Sequence, residues 1–190
     1  MKLLEDRILS DGKVLPGGIL KVDNFLNHQI DTALLWEMAQ EFHRLFGGEG
    51  VNKILTIEAS GIAIAAVTGV EFGCPMVFAK KSKTKNLSDR VWAAEVESFT
   101  HGNKNTVLVS KNYLHEGDRV LIVDDFLATG AALIGLKSLC EQAGATVVGA
   151  GIAIEKVFQG GGDALRAQGL RIESLAKIAE MSDDGLRFCQ

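Results

Sequence analysis

An apolar run that ends in two adjacent acids constrains the fold of this chain more than any other sequence feature. Residues 120–123 are valine, leucine, isoleucine and valine, and Asp124 and Asp125 follow directly. Near-continuous apolar runs of this length are typical of strands that are buried on both faces of a parallel sheet. A short turn of small residues that includes Gly130 then leads into a helical pattern over about residues 131–143. The run therefore predicts an inner strand of an α/β sheet, with two carboxylates at its end.

The rest of the chain alternates predicted helices with predicted strands. Apolar residues at steps of four predict a helix over residues 30–46, which Gly47 and Gly48 would end. A second helix, rich in small residues, is predicted from Ser60 to about Val70. Short β-rich runs predict further strands at residues 53–58, 76–79, 106–110 and 146–154.

This alternation implies a doubly wound α/β sheet, and no repeat or linker divides residues 1–190 into more than one domain. Ligands of such sheets bind beyond the carboxyl ends of the strands. We therefore expect one crevice to be surrounded by the loops that follow Glu58, Ala79, Asp125 and Glu155.

Composition excludes several classes of protein. The chain has 190 residues and a formal net charge of −4. Hydrophobic residues make up 47% and charged residues 23%, and these proportions are typical of a soluble globular protein. A mildly acidic total does not favour a nucleic-acid-binding surface. No uncharged apolar run approaches the roughly 18–20 residues that span a bilayer, and Glu5 and Asp6 do not suit a signal peptide.

The spacing of Cys74, Cys140 and Cys189 matches no disulfide framework or zinc motif. We expect a cytoplasmic protein without membrane or nucleic-acid partners.

The segment from the acids to the following helix has the chemistry of a phosphoribosyl site. Backbone N–H groups of the turn and the positive end of the helix suit a phosphate monoester. Asp124 and Asp125 can accept hydrogen bonds from vicinal sugar hydroxyls or attract a cation. Neither a GxGxxG nor a GxxxxGK[ST] pattern occurs. The alternative is an acidic cap before an ordinary helix.

The three glycines at residues 160–162 are interpreted as a flexible turn before a helix that begins at Asp163.

Three further segments follow predicted strands, and each has a structural alternative. Ser60 and Gly61 allow close approach of the backbone to an anion, although they would also suit the cap of a core helix. The run from Lys80 to Lys85 holds four lysines, which is typical of a solvated face or of an anion-binding loop. Lys156 leaves an apolar strand two residues before Phe158, a pattern that suits either a base pocket or an exposed lysine beside a core aromatic residue.

The strand, the Asp-Asp pair and the Thr129-Gly130 turn resemble the diphosphoribosyl-binding signature of type I phosphoribosyltransferases. The stretch of residues 14–31, which includes LKVDNFLNHQID, is very similar to the opening of the bacterial xanthine-specific subfamily. Thr129 stands where a relative carries Asn. The resemblance implies a twisted, mainly parallel sheet flanked by helices, with a small hood over the base built from residues 1–29 and about 156–190. It also implies a homodimer.

The resemblance further implies an activity and a role for individual residues. The implied reaction transfers the phosphoribosyl group of phosphoribosyl pyrophosphate to xanthine, with Mg²⁺ held mainly by the substrate and no direct protein ligand. The implied catalytic residues are Asp124, Asp125, Lys81 and Lys83. Phosphoribosyl pyrophosphate would be bound by Ala59, Ser60, Gly61, Ala128, Thr129, Gly130, Ala131 and Ala132. Xanthine would be bound by Leu20, Asn27, Lys156 and Phe158.

Two alternatives to a xanthine-specific enzyme remain at this stage. One is another purine phosphoribosyltransferase, acting on hypoxanthine and guanine or on adenine. The other is a purine-responsive transcription regulator of the same fold, which would carry an additional winged-helix domain. Only about 29 residues precede the first predicted helix, which is too few for such a domain.

Overall fold

The computed structural model describes residues 1–81, 90–97, 104–182 and 185–189. The α-helices of this part of the chain are α1 (Lys2–Asp11), α2 (Thr32–Phe46), α3 (Gly61–Phe72), α4 (Ala131–Ala143) and α5 (Gly161–Ala167). Its strands are β1 (Lys13–Leu15), β2 (Ile19–Lys21), β3 (Lys53–Ile57), β4 (Met76–Ala79), β5 (Val91–Glu97), β6 (Lys104–Ser110), β7 (Arg119–Leu127), β8 (Thr146–Lys156), β9 (Ile172–Ser182) and β10 (Gly185–Phe188). Within these ranges, every helix is too short or too polar to cross a membrane.

A six-stranded sheet of order β10-β9-β8-β7-β3-β4 forms the centre of the molecule. Its strands are parallel from β9 to β4, and only β10 runs antiparallel to its neighbour. Strand β7 is buried on both faces, because Leu121 and Val123 pack into one apolar cluster while Val120 and Ile122 pack into the other. The structure confirms the predicted mainly parallel α/β sheet and the inner position of the apolar run.

The strand predicted at residues 106–110 exists but is not a member of this sheet. It is part of β6, which pairs with β5 in an antiparallel hairpin. The hairpin meets the main sheet where Lys80 and Leu108 exchange backbone hydrogen bonds of 2.9 and 2.8 Å. Its apolar residues Val107 and Val109 are buried in one of the two clusters of the core. Burial of one face therefore gives β6 a strand-like pattern without a place in the central sheet.

The helix predicted over residues 30–46 is confirmed as α2, but the sequence analysis missed an earlier helix, α1. Helix α1 precedes α2, and its residues Leu4 and Ile8 are fully buried in the apolar cluster that also contains Val22 and Phe25. The helix was missed because two of its four apolar residues, Leu3 and Leu9, are exposed, so the apolar residues do not form one clear stripe. The amino-terminal segment therefore belongs to the main core rather than to a separate module.

The predicted flexible turn at residues 160–162 is also wrong. Gly160 has a φ of +75° and caps helix α5, which begins at Gly161 instead of Asp163. Gly161 and Gly162 are buried. These glycines are required because neighbouring atoms occupy the space that a side chain would need.

Candidate active site

A cavity of about 260 Å³ lies at the carboxyl edge of the sheet. Strands β3, β4 and β7 end there, as expected for a ligand site of a parallel sheet. Its lining includes most of the residues that the sequence assigned to the phosphoribosyl site, namely Ala59, Ser60, Lys81, Asp124, Asp125, Ala128, Thr129, Gly130, Ala131 and Ala132. Val96, Asn105 and Val107 of the β5–β6 hairpin form another wall, which the sequence did not predict.

Strand β7 does not end at the two carboxylates, contrary to the sequence interpretation. It continues to Leu127, where it still pairs with Glu155 of β8. No glycine or proline interrupts the run before Ala128, and β8 offers hydrogen-bond partners along the whole length. The turn is therefore limited to residues 128–130, and Asp124 and Asp125 are held on a regular strand.

The Asp124 carboxyl is more deeply buried than the Asp125 carboxyl, and the two residues are hydrogen-bonded to each other. Asp124 is 4% exposed, and its Oδ1 accepts a hydrogen bond of 3.0 Å from the Asp125 N–H. Burial, reinforced by the negative charge of Asp125, raises the pKa of Asp124 well above its usual range, while Lys81 acts in the opposite direction. Burial also raises the pKa of Asp125, and a hydrogen bond from Asn27 is among the contacts that oppose this rise. The pair thus retains a proton more readily than two exposed aspartates would.

The raised pKa of Asp124 predicts a stabilising effect of Asp124→Asn. The folded state binds more protons than the unfolded state between the ordinary and the raised pKa, so the Asp124 contribution to stability is lost as pH rises through the raised pKa. We expect the apo variant to melt at least about 2–4 °C higher than wild type at pH 8, which corresponds to about 1 kcal/mol in a domain of this size. Calorimetry at pH values from 8 down to 5 measures the difference in melting temperature between the variant and wild type. The difference should shrink on acidification, and a difference that grows as pH falls would contradict the prediction.

The loop between β7 and α4 turns sharply into the helix at the edge of the cavity. Gly130 adopts a φ of +87°, which turns the chain into helix α4, and Ile134 N–H donates to the Gly130 carbonyl at 3.0 Å. The first turn of an α-helix presents N–H groups that have no intrahelical acceptor. No acidic residue lies in the first turn of α4. The positive end of the helix is therefore available to a phosphate group at the cavity.

The loop between β3 and α3 lines the same cavity and is joined to Lys81 through Glu58. The peptide bond between Glu58 and Ala59 is cis. The Glu58 N–H donates to the Ala79 carbonyl at 3.0 Å, and the Glu58 carboxylate accepts a hydrogen bond of 2.7 Å from the Lys81 N–H. The sequence analysis used Glu58 only to mark a strand end, although an acid at that position was visible. Lys83, the other lysine predicted to be catalytic, lies outside the described residues.

Gly61 is placed behind the cavity rather than in its lining. A Cβ atom at Gly61 would lie 2.1 Å from Thr56 Oγ1 and 3.0 Å from Asp124 Oδ1. Only glycine therefore lets α3 begin this close to the carboxyl pair. Thr56 itself is fully buried, and its hydroxyl has no hydrogen-bond partner within the described part of the chain. The sequence gave no signal for Thr56, because a threonine inside a strand is a common β-former.

None of the four residues predicted to bind the base lines this cavity, but two of them, Asn27 and Lys156, interact with lining residues. Lys156 Nζ donates to the Gly18 carbonyl at 2.9 Å and lies 5.6 Å from the centre of the Phe126 ring, which lines the cavity. Burial lowers the pKa of Lys156. Asn27 is half-buried, and its buried Oδ1 has no partner among the described residues. Leu20 is 6% exposed within the core, whereas Phe158 is 45% exposed.

Comparison with known proteins decides the family. The family model for the phosphoribosyl transferase domain matches residues 21–161, which spans both loops and the carboxyl pair of the cavity. The chain belongs to the phosphoribosyltransferase family. Its type I fold agrees with the central parallel sheet and with the position of the cavity at the carboxyl edge.

Two curated relatives within this family match over nearly their whole length. The xanthine phosphoribosyltransferase of Finegoldia magna is 56% identical over 188 residues, which cover 99% of this chain and 99% of the relative. The xanthine phosphoribosyltransferase of Bacillus cereus strain AH187 is 52% identical over 190 residues, covering 100% of this chain and 96% of the relative.

Solved phosphoribosyltransferase structures share the fold at lower identity. The APRTase of Giardia lamblia, solved with 9-deazaadenine, superposes with a TM-score of 0.79 at 22% identity and covers 92% of this chain and 97% of its own. The adenine phosphoribosyltransferase of Thermoanaerobacter pseudethanolicus gives a TM-score of 0.74 at 24% identity, covering 92% and 99%. At this identity the likeness establishes the architecture alone.

Proposed function

We propose that this phosphoribosyltransferase acts in purine salvage, where it transfers the 5-phosphoribosyl group of phosphoribosyl pyrophosphate to xanthine. The products are xanthosine 5′-monophosphate and pyrophosphate. One observation carries the choice of xanthine: relatives of that name are 52% and 56% identical over essentially the full chain. The cavity supports the chemistry, because a carboxyl pair and a helix N-terminus line the same space.

The 5′-phosphate is assigned to the loop of residues 128–132. Its oxygens would accept hydrogen bonds from backbone N–H groups at the start of α4 and from the Thr129 hydroxyl. The departing pyrophosphate is assigned to the opposite loop, formed by Ala59 and Ser60, which lines the same cavity. Gly61 permits the close packing of that loop. The substrate would thus extend across the carboxyl edge of the sheet.

Asp124 and Asp125 are assigned to the ribose between these two anion sites. Their oxygens accept hydrogen bonds from the ribose hydroxyls and place negative charge beside the oxocarbenium-like transition state. Lys81, and by resemblance Lys83, would supply positive charge to the departing pyrophosphate. We assign no general base.

Mg²⁺ is proposed as the cofactor, and its oxygen preference fits the carboxyl pair. The structure describes no group of three or more His, Cys, Asp or Glu side chains that could hold a metal within the described ranges. Two carboxyls are too few for the octahedral oxygen coordination of Mg²⁺, so the ion is proposed to be held mainly by substrate oxygens. When bound, Mg²⁺ would offset the negative charge of the pyrophosphate.

The base pocket is proposed to lie between the amino-terminal segment and the end of β8. Lys156 would donate to the O6 and N7 acceptors of xanthine, and Asn27 would meet the oxygen at position 2 through its amide NH₂ group. Leu20 and Phe158 would supply apolar contact. The hydrogen bond between Lys156 and the Gly18 carbonyl supports a hood built from residues 1–29 and about 156–190.

Asn27→Ala is expected to reduce the preference for xanthine over hypoxanthine by about ten- to a hundredfold. Hypoxanthine lacks the oxygen at position 2, and an unsatisfied buried hydrogen-bonding group costs about 1–3 kcal/mol. The ratio of kcat/KM for the two bases measures the preference, and it cancels any change in phosphoribosyl pyrophosphate binding that follows from the lost hydrogen bond to Asp125. Asn24→Ala is the matched control, since Asn24 is exposed and its side chain donates only to the Asp11 carbonyl at 3.2 Å. Equal losses for both bases in Asn27→Ala would disprove the role of the amide.

The proposed function is tested by a coupled assay of product formation with xanthine, hypoxanthine, guanine and adenine side by side. Each base is supplied with phosphoribosyl pyrophosphate and Mg²⁺, and released pyrophosphate is measured. We expect the highest kcat/KM with xanthine. Higher activity with another base would support the alternative purine enzymes. Tight DNA binding without pyrophosphate release would support the regulator.

Two further properties are proposed on the family resemblance. The protein is expected to be a homodimer, which light scattering coupled to size-exclusion chromatography tests directly. It is also expected to act in the cytoplasm.

A further inference from the structure

A buried ion pair lies just outside the proposed substrate site and takes no part in the assigned chemistry. Glu155 is 1% exposed and accepts hydrogen bonds from both terminal nitrogens of Arg166, at 2.7 and 2.6 Å. The Ser174 hydroxyl also donates to Glu155. Burial acts to raise the pKa of Glu155, but the hydrogen bonds from Arg166 and Ser174 outweigh it and leave the pKa lowered. The carboxylate is therefore held in its charged form by a bidentate partner on helix α5.

Helix α5 also packs directly on the phosphate loop. The Gly161 N–H donates to the Ala128 carbonyl at 3.2 Å. A Cβ atom at Gly161 would lie 2.2 Å from the Thr129 carbonyl carbon and 2.6 Å from the Gly130 nitrogen. These are backbone atoms, so neither can rotate away from a side chain. The start of α5 thus fixes the distance between its own backbone and that of the loop.

The next residue of α5 packs on the ion pair. A Cβ atom at Gly162 would lie 2.0 Å from Glu155 Oε1 and 2.7 Å from Arg166 Nη1. Leu165, one turn later, is 2% exposed, and its Cδ1 would lie 2.8 Å from a Cβ atom at Gly130. Helix α5 is therefore held between the end of strand β8 and the loop of residues 128–130.

We propose that Gly161 and the Glu155–Arg166 ion pair are positioning residues for the 5′-phosphate loop. The ion pair holds α5, α5 supports the loop through Gly161, and Glu155 directly precedes the proposed base-binding residue Lys156. Gly161, Glu155 and Arg166 do not line the cavity themselves. The inference rests on the proposed function, because it gives a reason why the phosphate loop keeps its shape.

The first test is Gly161→Ala. A Cβ atom would displace the loop backbone, and a displacement of about 1 Å can lower catalytic efficiency on the order of 10²-fold. We expect kcat/KM for phosphoribosyl pyrophosphate to fall by that factor, with KM for xanthine little changed. Gly48→Ala is the matched control, because a Cβ atom at Gly48 would meet no atom within 4 Å and needs no positive φ.

The decisive readout is the affinity for xanthosine 5′-monophosphate relative to xanthosine. This ratio reports what the 5′-phosphate contributes to binding, and it should fall in Gly161→Ala but not in Gly48→Ala. Unchanged kcat/KM and an unchanged ratio in a folded Gly161→Ala variant would overturn the inference while leaving the proposed function intact. Absence of activity in wild type would instead overturn the proposed function.

Arg166→Lys provides a second and milder test should Gly161→Ala fail to fold. Lysine retains the positive charge beside Glu155 but cannot form the bidentate contact. The same ratio of nucleotide to nucleoside affinity is expected to fall, by less than in Gly161→Ala. Circular dichroism and melting temperature establish that the variant is folded. A folded Arg166→Lys variant with the wild-type ratio would refute the role of the ion pair.

Discussion

Asp125→Asn is expected to lower kcat by about 10²–10³-fold, the cost of removing one preorganised electrostatic contact to a transition state. The amide has nearly the same size but no negative charge to place beside the developing positive charge of the ribose. Steady-state kinetics with saturating xanthine and phosphoribosyl pyrophosphate measure the effect.

The control for this variant is Asp6→Asn, which removes a carboxylate charge at a site where Asp6 is 56% exposed and pairs with Lys2. Exposed pairs of this kind contribute little to stability, so activity should be unchanged. The Asp125→Asn variant should remain folded, because the raised pKa of Asp125 indicates that burial does not favour its charged form. A loss of kcat smaller than about tenfold would contradict the catalytic role of Asp125.

Lys156→Met is expected to raise KM for xanthine by about 10- to 150-fold. Hydrogen bonds to a charged group contribute about 1.5–3 kcal/mol, which corresponds to this range of affinity. Methionine retains the length and apolar stem of lysine but cannot donate a hydrogen bond. Kinetics at a fixed, saturating concentration of phosphoribosyl pyrophosphate measure the change.

The Lys156→Met variant is expected to remain folded. Burial lowers the pKa of Lys156, so the folded state does not favour its charge. The variant should therefore be at least as stable as wild type, apart from the loss of the hydrogen bond to the Gly18 carbonyl. Lys2→Met, at a side chain that is 76% exposed, should leave KM for xanthine unchanged. The base-binding role would be rejected if both variants gave the same KM.

The central strand and the carboxyl pair could be predicted from the sequence because their physics is local. Residues 120–123 are uniformly apolar, and only an inner strand buries both faces of such a run. The two acids and the small residues that follow are contiguous, so one segment carries the groups that we propose for both the ribose and the phosphate. The parallel direction of the inner strands followed from the alternation of strand and helix.

Features that depend on distant residues could not be predicted in this way. Helix α1 has too few apolar residues to show a clear pattern, and it is stable because Leu4 and Ile8 reach a core built by later segments. The link between Glu58 and the Lys81 N–H joins two loops 23 positions apart. The proposed positioning role of Gly161 depends on the packing of α5 against the loop at Ala128, which the sequence does not show.

The sequence by itself therefore determined the parallel sheet, its carboxyl edge and the residue types of the phosphoribosyl site. The tertiary structure decided how far strand β7 extends, where the β5–β6 hairpin joins, and why the glycines of α5 are needed. The physical reason is that burial patterns and turn conformations depend on residues that are adjacent in the sequence. Close backbone approach and paired buried charges arise only when distant segments meet.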